Sequence, residues 1–325
     1  MNVGVVGCGH LGAIHARIYT EIPGVRLCGV HDRDPGAAGR VAERHGCPAF
    51  ETLAELAERA DALSVCVSTP AHRDVALAAL DRGCHLLVEK PIADDIAGAE
   101  AMVDAAARAG RRLMVGHVER FNPAMIAALP HLAGTRFVES HRLAPFGHRG
   151  ADVAVVLDLM IHDIDLLTMV LADEVAHLDA SGTPVLTQEV DIANARLRFA
   201  GGCVANITAS RISRERMRKI RFFQADSYLS VDLMAGQVDM VRKARDFAAR
   251  RADVLADPAG LATLRMEDLV EPVHVPVADA EPLRLELEAF TDAVTAGRPV
   301  PVTGEDGLRS LRLAVEILEM VRLAP

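Results

Sequence analysis

The first twelve residues constrain the fold of this chain more than any other segment. Residues 3–6 are an apolar strand candidate, and a G-x-G-x-x-G turn and helix-forming residues follow directly. The turn contains Gly7, Gly9, His10, Leu11 and Gly12. In such a turn the first glycine permits a tight bend, the second lets the backbone approach a pyrophosphate, and the third lets helix and strand pack closely. The segment therefore predicts a dinucleotide cradle, with a glycine-rich turn that holds no ligand as the alternative.

Composition excludes several classes of partner. The chain has 325 residues, a formal net charge of −10, 3% aromatic residues and no Trp. Binding to nucleic acid needs a basic field and often aromatic stacking, so nucleic acid and anionic membranes are not expected partners. We also expect no signal peptide and no membrane span. The six cysteines form no C-x-x-C pair, which favours a reducing cytoplasm.

The first third of the chain alternates apolar runs with Ala-rich helical stretches. The strand candidates are residues 3–6, 26–30, 62–68, 85–89 and 112–116. Near-continuous apolar strands separated by helices indicate a parallel sheet that is covered on both faces. We predict a doubly wound Rossmann domain over residues 1–120, whose ligand lies at the carboxyl ends of the strands.

Strands dominate the remaining sequence, which predicts a second domain over residues 121–325. A strand candidate at 135–143 and a helix at 152–171 precede six extended runs: 175–186, 192–200, 203–212, 217–223, 228–233 and 237–241. Gly201 and Gly202 signal a hairpin between two of these runs. Residues 243–280 are less regular, and helices at 283–296 and about 304–323 close the chain. The pattern is typical of an α+β domain with a large, open, mostly antiparallel sheet.

The end of the second strand carries an acidic residue twenty positions after the glycine turn. Asp32 there would accept hydrogen bonds from the adenosine ribose and repel a 2′-phosphate, which favours NAD over NADP. Arg33 follows it and could soften that preference. The alternative is a solvated charge after a strand.

Further polar residues end the other strands of the first domain. These are Ser68, Thr69, Pro70, His72, Glu89, Lys90 and His117, and all are candidates for cofactor binding. Lys90 is the most informative of these, because it directly follows an apolar strand and because Pro91 restricts the backbone after it. A Lys near a cationic nicotinamide can have a lowered pKa and take part in proton transfer.

Asp158 and His162 lie four residues apart on the predicted helix 152–171. That spacing puts both on one face, where a carboxylate can fix the imidazole tautomer and leave the other nitrogen free as a general base. The alternative to a catalytic role is a histidine that is paired locally on the helix surface. A metal held by these two residues and Asp165 is a third interpretation, but no metal-site signature accompanies them and we expect no metal.

These motifs together resemble the Gfo/Idh/MocA oxidoreductases across essentially the whole chain. The resemblance rests on the glycine turn, Thr69-Pro70 with His72, Glu89-Lys90-Pro91, Arg120-Phe121-Asn122-Pro123, the D-x-x-x-H of Asp158 and His162, and residues 302–307 before the last helix. It implies tightly held NAD(P), a sugar or inositol substrate, subunit contact through the large sheet, and Lys90, Asp158 and His162 as the catalytic trio. We accordingly expect a homo-oligomer, either a dimer or a tetramer.

Residues 117–124, 156–163 and 191–196 look like a bacterial subgroup of this family that is linked to oxidising UDP-N-acetylglucosamine at its 3-hydroxyl. This resemblance makes a nucleotide sugar the expected substrate, with inositol or a simple hexose as the alternative. Candidate substrate residues are His162, Arg120, Asn122 and Arg211. A basic cluster over residues 211–221 could bind a diphosphate, although solvated or paired charges are the simpler interpretation.

Two rival functions use the same cradle. A non-catalytic dinucleotide sensor would not need a poised acid–base pair such as Asp158 and His162. An amino-acid-pathway dehydrogenase or an imine or bilin reductase would not need both Glu-Lys-Pro and D-x-x-x-H.

Overall fold

A computed structural model describes residues 1–147, 150–256 and 265–323. The chain forms two compact units. The first comprises residues Met1–Phe121 and Ala280–Glu316, and the second comprises Asn122–Asp279 and Ile317–Pro325. None of the described helices combines the length and apolar character that crossing a bilayer requires.

The first unit contains a five-stranded parallel sheet. Its strands are β1 (Asn2–Val6), β2 (Arg26–His31), β3 (Ala62–Val65), β4 (His85–Glu89) and β5 (Leu113–Gly116), in the order β2-β1-β3-β4-β5. Almost every side chain of the three central strands is buried, which explains their near-continuous apolar sequences. The predicted Rossmann sheet is confirmed.

Five helices connect these strands: α1 (His10–Glu21), α2 (Pro35–His45), α3 (Leu53–Ala57), α4 (His72–Leu80) and α5 (Ile96–Ala109). Their ends follow local rules. Asp34 caps the start of α2 by accepting the amide of Gly36, and Asp95 caps α5 by accepting the amide of Gly98.

The closing helices α9 (Pro282–Thr295) and α10 (Gly304–Leu323) correct the predicted domain assignment. The sequence placed both in the second domain, but α9 and most of α10 belong to the first unit. The reason is a backbone hydrogen bond between distant parts of the chain, in which the amide of Val115 on β5 donates to the carbonyl of Val302 at 3.1 Å. The segment before α10 thereby extends the edge of the first sheet.

The second unit is built on an eight-stranded sheet. Its order is β13-β12-β11-β10-β6-β9-β8-β7, and only the β6–β9 pair is parallel among the described pairs. The strands are β6 (Phe137–Leu143), β7 (Val175–Thr183), β8 (Ile192–Phe199), β9 (Val204–Ser210), β10 (Met217–Phe223), β11 (Ser227–Asp232), β12 (Gln237–Lys243) and β13 (Val270–Val273). The predicted open, mostly antiparallel sheet is confirmed. The predicted hairpin at Gly201 and Gly202 is also present, and Gly202 has a left-handed φ of 90°.

Alternation of buried and exposed side chains places one face of this sheet against a core. In β8 every second residue is buried, from Ala193 to Phe199. Helices α6 (Pro123–Ala128), α7 (Ile161–Leu171) and α8 (Phe247–Ala256) belong to this unit, and α8 and β13 lie in the segment that the sequence left irregular.

The helix predicted over residues 152–171 begins later than expected. A π-helical turn covers Val156–Met160, and regular α-helix starts at Ile161. The residues before the π-helical turn make hydrogen bonds outside the helix. The amide of Val155 donates to the carbonyl of Val190 at 2.9 Å, and Arg211 donates to the carbonyl of Val153. These contacts replace the hydrogen bonds of an earlier helical turn.

Candidate functional site

The glycine turn forms the cradle that the sequence predicts. Gly7 has a left-handed φ of 92°, and its amide donates to the carbonyl of His31 at 2.8 Å. A Cβ on Gly12 would lie 1.8 Å from the Gly7 carbonyl oxygen, whereas a Cβ on Gly9 would meet nothing within 4 Å. Gly7 and Gly12 therefore shape the turn, and Gly9 leaves open space at the start of α1. His10, exposed, and Leu11, half-buried, begin that helix.

A cavity of about 430 Å³ lies beside this turn within the first unit. Its lining includes Gly7, Gly9, Asp32, Arg33 and Ser68. One Asp32 carboxylate oxygen accepts the amide of Cys8 at 2.6 Å, and the other accepts the amide of Asp34 at 2.8 Å. The open glycine cradle and an oriented carboxylate fit the pyrophosphate and the adenosine ribose of NAD.

The polar residues after β3 divide into two groups. Ser68 and Pro70 are exposed and Thr69 is half-buried, so these three remain cofactor candidates. His72 is buried, with its ring nitrogens 3.0 Å from the carbonyl of Pro91 and 3.2 Å from that of Val67. Its ring links the loops after β3 and β4, and the prediction that His72 contacts the cofactor stays a prediction. Burial lowers the pKa of His72 despite these carbonyls.

The carboxyl ends of β4 and β5 carry the remaining candidates of the first unit. Glu89 and Lys90 are half-buried where β4 ends, and His117 is buried directly after β5. Glu89 lies against Gly116, where a Cβ would come within 3.1 Å of its carboxylate. The cofactor-binding assignments of Glu89, Lys90 and His117 stay predictions.

A buried polar row below this edge was not predicted from the sequence. His15 on α1 lies 3.2 Å from Ser64 Oγ through Nδ1 and 3.1 Å from Glu89 Oε1 through Nε2, and Tyr19 Oη lies 2.7 Å from the same Ser64 Oγ. Cys66 also approaches, since ligand atoms of His15, Cys66 and Glu89 all lie within 4.8 Å of one another. Burial raises the pKa of the Cys66 thiol well above its usual range, and both His15 nitrogens have hydrogen-bond partners. The cluster is therefore better described as a hydrogen-bonded network than as a set of metal ligands.

In the second unit Asp158 lies in the π-helical turn, and His162 lies in the first turn of α7. Single π-helical turns within α-helices are frequent at functional sites. The backbone at Gly150 lies close to the Asp158 carboxylate, because a Cβ on Gly150 would lie 2.7 Å from Asp158 Oδ2. His162 is half-buried, and its proposed role as a base remains a prediction.

Arg211 has several hydrogen-bond and charge partners within the second unit. Its guanidinium is buried and donates to the backbone carbonyls of Gly150 and Val153, the latter at 2.5 Å. It also lies 4.0 Å from carboxylate oxygens of Asp158 and of Asp191. These donors hold the loop that precedes Asp158, and the prediction that Arg211 binds substrate stays a prediction.

A second buried ion pair supports the same region. Arg142 on β6 donates to Asp163 on α7 through Nε at 2.8 Å and through Nη2 at 3.2 Å, and both residues are buried. Asp163 is adjacent to His162 in the sequence, so this bidentate pair fixes the helical turn that carries the candidate base.

The remaining substrate candidates have structural partners. Asn122 caps α6 by accepting the amide of Ala124, and its amide donates to the carbonyl of Leu233 at 2.9 Å. Its predicted substrate contact stays a prediction. Arg120 lies 3.5 Å from Asp306 in an ion pair whose guanidinium is mostly buried, and its substrate role stays a prediction.

The basic cluster of residues 211–221 does not form one anion site. Lys219 pairs with Asp232 at 3.3 Å, and Arg221 lies 3.8 Å from Glu139. Arg214, Arg216 and Arg218 are exposed. Paired and solvated charges, the simpler interpretation, account for the cluster.

Comparison with known proteins gives consistent results for both units. The oxidoreductase family model with an NAD-binding Rossmann fold (GFO_IDH_MocA) matches residues 1–117, and the GFO/IDH/MocA C-terminal domain model matches residues 135–226. The chain is 34% identical over 318 residues to the UDP-N-acetylglucosamine 3-dehydrogenase of Acidithiobacillus ferrooxidans, which covers 98% of this chain and 96% of that protein.

A solved structure of that enzyme matches with a TM-score of 0.88, covering 99% of this chain and 97% of the other. An inositol 2-dehydrogenase of Rubrobacter xylanophilus is 33% identical over 226 residues, 65% of each chain.

Proposed function

This chain belongs to the Gfo/Idh/MocA family of oxidoreductases, and on that premise we propose that it oxidises UDP-N-acetylglucosamine at its 3-hydroxyl with NAD. The observation that carries the proposal is the likeness to a UDP-N-acetylglucosamine 3-dehydrogenase over 98% of the chain, through both units. The family assignment supplies the NAD-binding Rossmann fold and the dehydrogenase chemistry.

NAD is favoured over NADP by the charge at the end of β2. Asp32 would accept hydrogen bonds from the adenosine ribose hydroxyls, and its negative charge would repel a 2′-phosphate. Arg33 next to it would partly offset that repulsion.

The proposed reaction assigns proton handling to Lys90, Asp158 and His162. When bound, NAD supplies the hydride acceptor. His162 accepts the proton of the substrate hydroxyl, and Asp158 orients the imidazole and stabilises its cation. Lys90 stabilises the developing alkoxide or relays the proton. Arg211 acts through Asp158, because it holds the backbone on which that carboxylate rests.

The test is an absorbance assay for NADH with UDP-N-acetylglucosamine, myo-inositol and glucose as separate substrates. Oxidation of the nucleotide sugar alone supports the proposal. Replacing either proton-transfer residue (His162→Ala or Lys90→Ala) should reduce kcat by about 10²–10⁴-fold while NAD still binds. His177→Ala, which removes an exposed imidazole on β7, is the matched control and should keep full activity. Unchanged turnover in both active-site variants would contradict the assignment.

The second candidate function is oxidation of inositol or a simple hexose. A myo-inositol 2-dehydrogenase of Thermotoga maritima is 26% identical over 334 residues, 96% of this chain, which keeps this alternative open. A thermal-shift titration separates the two, because a UDP-sugar should stabilise the protein when NAD is present and free inositol should not.

We further propose a homo-oligomer assembled through the large sheet, in the cytoplasm. Cross-strand polar pairs support an ordered outer sheet face, namely Asn194 with Thr208 at 2.8 Å and Arg196 with Asn206 at 2.9 Å. The six cysteines are free thiols, consistent with a reducing compartment. Light scattering on a sizing column gives the mass, and a monomer would contradict the assembly.

A further inference from the structure

Four polar side chains form a row inside the first unit. Tyr19 and His15 occupy successive turns of α1, Ser64 lies on β3, and Glu89 ends β4. The distances along the row are 2.7 Å from Tyr19 to Ser64, 3.2 Å from Ser64 to His15 and 3.1 Å from His15 to Glu89. The first three residues are fully buried, and the Glu89 side chain is 12% exposed. The row therefore runs from the core to the edge where a Rossmann sheet binds its ligand.

Counting protons gives the row a direction. Burial raises the pKa of Tyr19, so its hydroxyl keeps its proton and donates to Ser64 Oγ, its hydrogen-bond partner among the described residues. Ser64 then has its own proton to donate, and His15 Nδ1 is the acceptor. His15 must therefore carry its proton on Nε2, where it donates to Glu89. The imidazole stays neutral and the carboxylate stays ionised, with each donor satisfied once.

The consequence is a negative charge that its histidine partner does not cancel. A protonated imidazole would neutralise Glu89, but its Nδ1 could then no longer accept the Ser64 hydroxyl proton, which would lose its acceptor in this row. The carboxylate also lies against Gly116, where a Cβ would come within 3.1 Å of it. Glu89 is thus a fixed charge at the carboxyl end of β4.

The strand order defines which part of NAD meets this charge. The glycine turn after β1 takes the pyrophosphate, and Asp32 at the end of β2 takes the adenosine ribose. Since β2 and β3 flank β1 on opposite sides, the other half of a bound dinucleotide would lie on the side of β3 and β4. That half carries the nicotinamide, which is cationic in NAD⁺ and neutral in NADH.

We propose that Glu89, kept ionised by the row Tyr19–Ser64–His15, makes the first unit bind NAD⁺ in preference to NADH. Glu89 supplies the charge, and His15 and Ser64 are positioning residues that act through it. The inference rests on NAD binding alone and not on the identity of the substrate.

The test measures both cofactor forms without substrate. NADH binding is followed by its fluorescence, and NAD⁺ binding by displacement of NADH. Glu89→Gln keeps the size and the hydrogen-bond acceptor but removes the charge, so NAD⁺ affinity should fall by about tenfold or more, while NADH affinity changes less than about threefold. Glu58→Gln removes an exposed carboxylate near the start of β3, at the opposite edge of the sheet, and should change neither.

Two further measurements isolate the row. Ser64→Ala removes the donor to His15 Nδ1, so the imidazole is no longer fixed as a donor to Glu89 through Nε2, and the preference for NAD⁺ should weaken in the same direction. In ¹⁵N-labelled wild-type protein, His15 should show one protonated and one unprotonated nitrogen at neutral pH. Equal loss of both cofactor forms in Glu89→Gln, or a doubly protonated His15, would overturn the proposal. A negative substrate panel would leave it standing.

Discussion

Replacing Asp191 by Asn should destabilise the second unit in a pH-dependent way. Asp191 is buried just before β8, and its Oδ2 accepts the amides of Val185, Leu186 and Thr187 at 2.7–2.8 Å. Its Oδ1 accepts the hydroxyl of Thr187 at 2.8 Å. Burial raises the pKa of this carboxyl, but the amides outweigh burial and lower it from 3.8 to about 2. An Asn at this position can still accept the amides, so the substitution mainly removes the charge.

The magnitude follows from that pKa. One pKa unit corresponds to about 1.36 kcal/mol, so a carboxyl that ionises near 2 in the folded protein and near 3.8 when unfolded contributes about 2.4 kcal/mol. Because the folded pKa is depressed, this stability is present above pH 4 and is lost as the pH falls through 2. At pH 7 the variant should lose about 2–3 kcal/mol, or about 5–10 °C in Tm. At pH 3 the charge-dependent part should be about half as large.

Calorimetric unfolding of the wild type and Asp191→Asn at pH 7 and pH 3 measures this difference. Asp104→Asn, which removes an exposed carboxylate on α5, is the control and should change Tm by less than about 1–2 °C. A gap between wild type and Asp191→Asn that stays constant from pH 7 to pH 3 would refute the electrostatic explanation. A gap of zero would show that the amide contacts do not favour the charge at all.

Three further predictions test the frame of the site. Gly9→Ala should lower NAD affinity at least about tenfold and leave Tm nearly unchanged. Gly12→Ala should lower both NAD affinity and Tm, because only the Cβ on Gly12 overlaps backbone atoms. Fluorescence titration measures the affinity, and thermal melts measure Tm. Arg142→Met should cost about 3–5 kcal/mol in urea unfolding by leaving Asp163 buried and unpaired, and adding Asp163→Leu should recover most of it. Asp32→Ala should reduce the preference for NAD over NADP in binding titrations, and an unchanged ratio would contradict its assigned role.

The sequence predicted the first unit well because its signals are local. A glycine turn, a cap such as Asp34 and a run of buried residues such as β4 each depend on neighbours a few positions away. The same local reasoning located most strands of the large sheet, since alternation along β8 needs no knowledge of its partners.

What the sequence could not supply was the partner of each polar residue. His15 forms hydrogen bonds with Ser64 and Glu89, which lie 49 and 74 residues further along the sequence. Its sequence neighbours therefore do not indicate that it is functional. Its one sequence signal is its position on the face of α1 that packs on the sheet, where a polar residue needs a partner. Arg211 became a substrate candidate because it lies in a basic cluster, and nothing near it in the sequence indicates its carbonyl partner at Val153, 58 residues away.

The two units hold their functional groups by different physical means, and this difference bears on how each can change. In the first unit the turn beside the cavity is shaped by backbone, so its geometry depends on Gly7 and Gly12 and not on paired side-chain charges. In the second unit Asp158 and His162 rest on buried ions, Arg211 and the Arg142–Asp163 pair. Removing one member of a buried pair leaves the other uncompensated, so these charges can change only together. Substitutions that alter substrate choice should therefore occur on exposed side chains around this frame and not within it.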